Sequence, residues 1–189
     1  MFVKYIEDFL TKDECHSLID LGCSMDLIRM KSSLIVNGEL IGENLNYDGN
    51  KRMGGYFSKE ISSMSLIKDI SDRIIDLSNK LNPFKGISYV GIPGYSFNQY
   101  GAGDFLDWHP DAHEIINGAT ITYIIQLNDD YEGGNVKYMV NDTGYSVKKK
   151  TGSVFVFDSN IHHAVDTVIS GLRYSINVWP SKEIKKTLL

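Results

Sequence analysis

The sequence predicts an α+β protein that is mainly β, an antiparallel sandwich or barrel supported by N-terminal helices. Two observations predict this class. Two segments within residues 11–82 carry apolar side chains at helical spacing. Beyond Gly86, short β-rich segments alternate with turns of Gly, Asn and Asp, and no helical segment separates them. Many short strands without intervening helices are typical of antiparallel sandwiches and barrels.

The first predicted helix begins at a capping box, TKDE, with Thr11 as N-cap and Glu14 at the third helical position, and it ends near Gly22. The second has its apolar face at Leu66, Ile67, Ile70, Ile74, Leu77 and Leu81, and Asn82-Pro83 ends it. The polar, Gly- and Asn-rich stretch between them is predicted to be a loop. Within it, residues 37–55 are either a mobile lid over a substrate or a surface insertion.

The predicted strands are ISYVGI, YSFNQY, ATITYIIQL, NVKYMV, YSVKK, SVFVF, HHAVDTV and RYSINVW. The chain has 189 residues, enough for one well-buried domain. No linker or internal repeat is evident. We therefore expect a single domain over residues 1–189, with helical support over about residues 1–85 and a β core over about residues 86–181.

The composition narrows the classes of function. The formal net charge of −5 does not suggest a surface that binds nucleic acid. No run of about 18 apolar residues is present, so no membrane span is expected. The only cysteines, Cys15 and Cys23, fall in the first helical region and are interpreted as reduced packing residues. These features predict a cytoplasmic protein, and they leave its oligomeric state open.

The stretch DFLDWHPDAH contains a candidate metal site. In a strand, His109 and Asp111 point to the same face, because side chains alternate with period two. A third ligand is available at His162 or His163, but adjacent strand residues face opposite sides and the period does not choose between them. Two imidazoles and one carboxylate suit non-haem Fe(II), whereas structural zinc favours four ligands, often thiolates. Of the other histidines, His16 is interpreted as a surface residue and His113 as an exposed loop residue or a partner of a ligand.

Four segments taken in order, YGAGDFLDWHPD, LNDDYEGGN, GSVFVFDSNIHHAV and SGLRYSINVW, resemble prolyl 4-hydroxylase-like 2-oxoglutarate/Fe(II) dioxygenases, especially short bacterial and phage forms. The resemblance covers about residues 95–180, and the opening IEDFLTKDECHSLIDLG is similar to the family's lead-in. It implies a double-stranded β-helix (jelly-roll, cupin-like) fold. It also implies Fe(II), 2-oxoglutarate and dioxygen as cofactor and co-substrates, and leaves a requirement for ascorbate open.

The resemblance also implies roles for particular residues. In the family, a basic residue follows the second metal histidine by ten positions, and Arg173 stands ten after His163, which makes His109, Asp111 and His163 the metal ligands. Arg173 would bind the far carboxylate of 2-oxoglutarate, with Tyr100 contributing its hydroxyl. Strand alternation places Thr120, Thr122, Ile124 and Gln126 on one face, and Thr122 and Gln126 are further candidates for this pocket. Some relatives have a tyrosine where this chain has Gln126, so the sequence departs from the pattern there.

The resulting expectation is a hydroxylase acting on a C–H bond, with peptidyl proline as the expected substrate. Hydroxylation of a free amino acid or another small molecule is the enzymatic alternative, since fold alone does not decide the substrate. A non-catalytic ligand- or metal-binding module should have lost a member of the ligand set or Arg173, and all are present. Nucleic-acid demethylation is disfavoured by the acidic balance. The expected partner is therefore a peptide, protein or small-molecule substrate.

Overall fold

Two antiparallel sheets face each other in the computed structural model, which describes residues 2–29, 33–36, 39–43, 50–82, 87–111 and 121–184. The helices are α1 (Lys12–Cys23), α2 (Lys59–Ser62) and α3 (Ser65–Leu81). The strands are β1 (Val3–Ile6), β2 (Ile28–Arg29), β3 (Ser33–Val36), β4 (Glu39–Glu43), β5 (Asn50–Lys51), β6 (Met53–Tyr56), β7 (Ile87–Gly91), β8 (Tyr95–Tyr100), β9 (Phe105–His109), β10 (Ile121–Gln126), β11 (Glu132–Gly133), β12 (Val136–Val140), β13 (Thr143–Ser146), β14 (Val154–Asp158), β15 (His163–Val165), β16 (Val168–Ser170), β17 (Arg173–Val178) and β18 (Ser181–Ile184).

The larger sheet has seven strands in the order β1-β14-β10-β17-β8-β6-β2, and the smaller has five in the order β13-β12-β15-β9-β5. Three two-stranded ladders, β11-β16, β18-β7 and β3-β4, lie beside them. Side chains from the inner faces of both sheets share one apolar cluster that includes Ile124 and Phe157 from the larger sheet and Val136 and Val165 from the smaller. The interior between the sheets is therefore a packed layer, as in a β-sandwich.

The helices cover the outer face of the larger sheet. Ile67, Ile70 and Ile74 of α3 are buried in a second apolar cluster, together with strand residues such as Tyr123 and Val156. The Tyr123 hydroxyl is hydrogen-bonded to Ser78 Oγ of α3 at 2.7 Å, which attaches the helix to β10. No helix within the described residues is long and apolar enough to cross a membrane.

Both predicted helices are confirmed. The capping box precedes α1 as expected: the Glu14 amide donates to Thr11 Oγ1 at 3.2 Å, and the Thr11 amide donates to Glu14 Oε2 at 2.7 Å. The helix α3 ends at Leu81 with Asn82 as its C-cap, while Pro83 lies outside the described residues. Cys15 is buried against the core and Cys23 is exposed, and both are free thiols.

The prediction of helical support over about residues 1–85 is incomplete. The strand β1 pairs with β14, β6 pairs with β8, and β5 pairs with β9, so the N-terminal part contributes strands to both large sheets. The sequence of β6, MGGY, has no alternation of apolar and polar side chains, and its strand conformation depends on backbone pairing with β8.

The predicted loop is also partly wrong, since β4, β5 and β6 occupy much of residues 37–55. Residues 37–38 and 44–49 lie outside the described residues. Whether this stretch closes over a substrate stays a hypothesis, as does the single domain over residues 1–189.

Candidate metal centre and co-substrate pocket

The three predicted metal ligands converge at one end of the interior between the two sheets. His109 is the last residue of β9, Asp111 follows two positions later, and His163 begins β15. Because β9 and β15 are antiparallel neighbours, His109 and His163 lie directly opposite each other, with ring centroids 4.3 Å apart. One ligand atom from each of the three side chains lies within 4.8 Å of the other two. This spacing allows one ion to contact all three.

The hydrogen bonds of the two imidazoles leave Nε2 of each ring free to bind a metal. His109 Nδ1 is 2.7 Å from the Asp107 carbonyl oxygen, and His163 Nδ1 is 3.1 Å from the Ile161 carbonyl oxygen. A carbonyl can only accept, so each Nδ1 carries the hydrogen and donates it. Each Nε2 then has a free lone pair, and each lies 3.6 Å from an oxygen of Asp111. Orientation of a ligating histidine by a backbone carbonyl is the arrangement expected around a metal.

Asp111 is 6% exposed, and its charge is supported on several sides. Burial by itself would raise the pKa of the Asp111 carboxyl, but the adjoining His163 and His109 and the Trp179 indole outweigh burial, and the pKa is lowered. Trp179 Nε1 donates to Asp111 Oδ2 at 3.1 Å. Burial lowers the pKa of His163 despite the opposing effect of Asp111. At neutral pH the site therefore offers an anionic carboxylate and a neutral buried imidazole, both suited to bind a cation.

The neighbouring histidines do not join this cluster within the described part of the chain. His162 is exposed, and its carbonyl accepts from the Met139 amide at 2.9 Å. His16 is exposed on α1, as predicted, and His113 lies outside the described residues. The structure thus brings His163, and not its neighbour, to His109 and Asp111.

Arg173, only 1% exposed, lies on the inner face of the larger sheet. Its strand β17 pairs with β8 so that Arg173 is opposite Tyr100, and its guanidinium lies 4.9 Å from the centroid of the Tyr100 ring. Arg173 Nη1 donates to Ser175 Oγ at 2.9 Å, and Nη2 donates to Gln126 Oε1 at 3.3 Å.

Both of these hydrogen-bond acceptors are neutral, and Nε has no hydrogen-bond partner in the described part of the chain. Among the described residues, no carboxylate forms an ion pair with this guanidinium. A buried cation without an anion is costly, so the pocket fits a ligand carboxylate. This orphaned nitrogen is the structural observation that matches 2-oxoglutarate, whose far carboxylate an arginine fork can bind in two places.

The remaining predicted pocket residues lie on the same inner face. Gln126 contacts Arg173 directly, as described above. Thr122 does not: its hydroxyl is 3.0 Å from Ser159 Oγ, and the Ser159 carbonyl accepts from the Asp111 amide at 2.9 Å. Thr122 therefore lies beside the metal cluster, whereas Tyr100 and Gln126 adjoin the cation. Thr120 is outside the described residues.

Two functional candidates were missed by the sequence analysis. Trp179 was not among the predicted site residues, yet its indole donates to the predicted ligand Asp111. Strand parity contained this signal, because Trp179 shares the odd-numbered register of Arg173, Ser175 and Asn177. Tyr131 was not predicted either, because no local pattern in the sequence identifies a role for its hydroxyl.

The chain resembles known proteins over both its sequence and its fold. Residues 95–181 match the model of the 2OG-Fe(II) oxygenase superfamily. A PKHD-type hydroxylase of Psychrobacter sp. is 29% identical over 94 residues, which cover 46% of this chain but only 36% of that protein. A PKHD-type hydroxylase of Acaryochloris marina is 25% identical over 179 residues, covering 92% of this chain and 75% of that protein.

Solved structures extend the likeness to the whole fold. A prolyl-4-hydroxylase of Pseudomonas putida has a TM-score of 0.72 at 15% identity, covering 97% of this chain and 92% of that one. A prolyl hydroxylase from Trichoplax adhaerens, in complex with a peptide fragment of a hypoxia inducible factor, has a TM-score of 0.72 at 15% identity, covering 94% and 82%. These neighbours confirm the predicted double-stranded β-helix fold.

Proposed function

We propose that the chain is a dioxygenase of the hydroxylase type and that it hydroxylates a peptidyl proline; residues 95–181 match the model of the 2OG-Fe(II) oxygenase superfamily, and PKHD-type hydroxylases are similar in sequence. The assignment of the site rests on one observation: two features occur together in the interior between the two sheets. One is a His-Asp-His cluster that includes the partly exposed His109, and the other is a buried arginine that has no carboxylate partner among the described residues. A 2-oxo dicarboxylate needs both, because one end binds a metal and the other needs a cation.

In this proposal His109, Asp111 and His163 hold the iron, and Arg173, oriented by Gln126 and Ser175, binds the far carboxylate of 2-oxoglutarate. Bound iron, with 2-oxoglutarate and dioxygen, supplies oxidative decarboxylation of the co-substrate to succinate and CO₂ and hydroxylation of a C–H bond. The protein orients the ligands, because the Asp107 and Ile161 carbonyls fix both imidazole rings.

The inner faces of the two sheets limit water at the site. Ile124, Phe155 and Phe157 are buried in the apolar cluster between the sheets, and the Phe157 ring centroid is 4.7 Å from that of His163. An apolar wall excludes water and strengthens the interaction between the charged groups of the site.

The openness of the metal cluster supports a peptide substrate. The His109 side chain is 30% exposed, so a peptide segment can reach an ion bound at this cluster from the protein surface. Among the fold neighbours, the Trichoplax adhaerens prolyl hydroxylase is complexed with a peptide.

The test is turnover of a library of proline-containing peptides with Fe(II), 2-oxoglutarate, dioxygen and ascorbate. We expect a mass increase of one oxygen on a proline, coupled to succinate formation, and we expect Asp111→Ala to reduce both to background. Asp107→Ala is the matched control. It removes an exposed carboxylate from the same strand but keeps the backbone carbonyl that orients His109, so activity should remain within a few-fold.

The outcomes separate the enzyme class from the substrate. Hydroxylation of free amino acids or other small molecules, with no peptide oxidised, would replace the proposed substrate. Absence of succinate formation under all conditions, from folded protein, would overturn the use of this site for oxygenase chemistry.

A further inference from the structure

Tyr131 lies beside the Arg173 pocket and is held there from several directions. It is 6% exposed, in the turn between β10 and β11. Gln126 Nε2 donates to its hydroxyl oxygen at 2.6 Å. Lys149 Nζ lies 4.1 Å from the centroid of its ring and donates to its carbonyl oxygen. The ring therefore has little freedom to move, and its hydroxyl is fixed near the guanidinium.

The hydrogen bonds of Gln126 determine which way the Tyr131 proton points. Gln126 Oε1 accepts from Arg173 Nη2, which can only donate. Gln126 Nε2 donates to the Asn128 carbonyl oxygen at 2.7 Å, which can only accept. These two contacts fix the amide orientation, so the Tyr131 oxygen must be an acceptor towards Gln126. Its own O–H hydrogen is left to donate to another group.

The hydroxyl also keeps that hydrogen at neutral pH. Burial raises the pKa of the Tyr131 phenol, and the nearby Arg173 cation and Gln126 amide oppose this only in part. A neutral phenol beside a buried cation is a donor that a carboxylate ligand can use together with the guanidinium.

Two glycines permit the close approach of Tyr131 to Arg173. Gly134 has φ +59°, and a Cβ there would lie 2.9 Å from Tyr131 Cε2 and 3.2 Å from Arg173 Cδ. Gly171 has φ +81°, and a Cβ there would lie 3.0 Å from Tyr131 Cβ. Gly134 thus allows the positive φ of the turn and also leaves no side chain between the Tyr131 ring and the stem of Arg173.

We propose that Tyr131 is a binding residue for the co-substrate, and that its hydroxyl donates to the far carboxylate of 2-oxoglutarate alongside Arg173. This inference rests on the proposed function, because it requires 2-oxoglutarate to occupy the pocket. Here Gln126 orients the donor.

The test is an anaerobic titration of the Fe(II)-loaded protein with 2-oxoglutarate, followed by the visible charge-transfer band. Tyr131→Phe removes only the hydroxyl, and we expect the dissociation constant for 2-oxoglutarate to rise about tenfold to a hundredfold, as for loss of a hydrogen bond to a charged group. Affinity for 2-oxopentanoate, which has a methyl group in place of the far carboxylate, should stay within twofold. A hydroxyl that merely stabilises the fold would not produce this selectivity.

Tyr123→Phe is the matched control. It makes the same chemical change at a buried tyrosine on the opposite face of β10, where the hydroxyl contacts Ser78, and it should leave both affinities unchanged. Gln126→Glu is the second variant: its carboxylate would accept a hydrogen bond from the Tyr131 hydroxyl and form an ion pair with Arg173. It should weaken 2-oxoglutarate binding and spare 2-oxopentanoate, and it keeps the test available if Tyr131→Phe does not fold.

Each outcome has a distinct meaning. Unchanged 2-oxoglutarate affinity in folded Tyr131→Phe, or an equal loss of both ligands, overturns the role of Tyr131 and leaves the proposed function intact. Absence of a charge-transfer band in the wild-type protein overturns the proposed function itself.

Discussion

At the residue scale, two adjacent imidazoles differ only in the face they occupy. His163 is buried against Asp111, and His162 is exposed. We expect His163→Ala to weaken Fe(II) binding at least a hundredfold, since even groups that only orient a ligand contribute tenfold to a hundredfold. His162→Ala should change the affinity less than threefold. An anaerobic Fe(II) titration of both variants measures the difference.

The two alanine variants serve as controls for each other, because the substitution is identical and the positions are adjacent. Circular dichroism should first establish that both are folded. If His162→Ala lost iron and His163→Ala retained it, the cluster would have to be rebuilt around the other imidazole.

What the sequence could predict about the site depended on strand parity. His109 and Asp111 share a face by parity, and the structure places their side chains within 3.6 Å. The choice of His163 over His162 needed the ten-residue spacing to Arg173 that the family resemblance implies. Strand parity alone does not show which of the two adjacent histidines faces the site. The position of Tyr131 beside Arg173 could not be predicted. It depends on the hydrogen bond from Gln126 and on the absence of a side chain at Gly134, and both are visible only in the folded chain.

At the element scale, the packing of α1 on the larger sheet depends on one missing side chain. Gly22 lies against the Phe97 ring, and a Cβ at Gly22 would overlap that ring. Phe97 is fully buried and stacked on Phe57 and Tyr174, so it has little room to yield. Overpacking costs about 1–3 kcal/mol, whereas replacing a helical glycine gains up to about 1 kcal/mol. We expect Gly22→Ala to lower the free energy of unfolding, measured by urea denaturation.

Gly91→Ala is the matched control, because a Cβ at Gly91 would meet nothing within 4 Å. It should change the free energy of unfolding by less than about 0.5 kcal/mol. A Gly22→Ala variant as stable as the wild type would mean that α1 shifts on the sheet without loss of packing.

The same element scale explains which parts of the fold the sequence could predict. The helix α3 was predictable because its apolar residues keep one register over its whole length, and α1 because its capping box marks its start. The strands β5 and β6 were not, because two to four residues rich in Lys, Asn and Gly have no apolar face of their own. Their strand state is imposed by β9 and β8, which are distant in the sequence.

At the scale of the whole molecule, the two sheets enclose a charge that the described residues do not neutralise. Arg173 is buried with neutral hydrogen-bond partners, so the ligand-free protein bears a desolvation cost that a bound carboxylate would relieve. Stability and co-substrate binding are therefore linked through this one side chain.

Thermal unfolding should reveal that linkage. With Mn(II) in place of iron, which prevents turnover, 2-oxoglutarate at a hundred times its dissociation constant should add about 2.7 kcal/mol, or about 5–10 °C in a chain of this size. Arg173→Met should lose this increment and still keep the one from Mn(II). Without ligands its melting temperature should be no lower than that of the wild type, because an unpaired buried charge is replaced by an apolar chain of similar length.

Arg73→Met provides the contrast. It breaks an ion pair with Glu14 in the helical layer, so its melting temperature without ligands should fall while both ligand increments remain. A full 2-oxoglutarate increment in Arg173→Met would show that the carboxylate binds elsewhere.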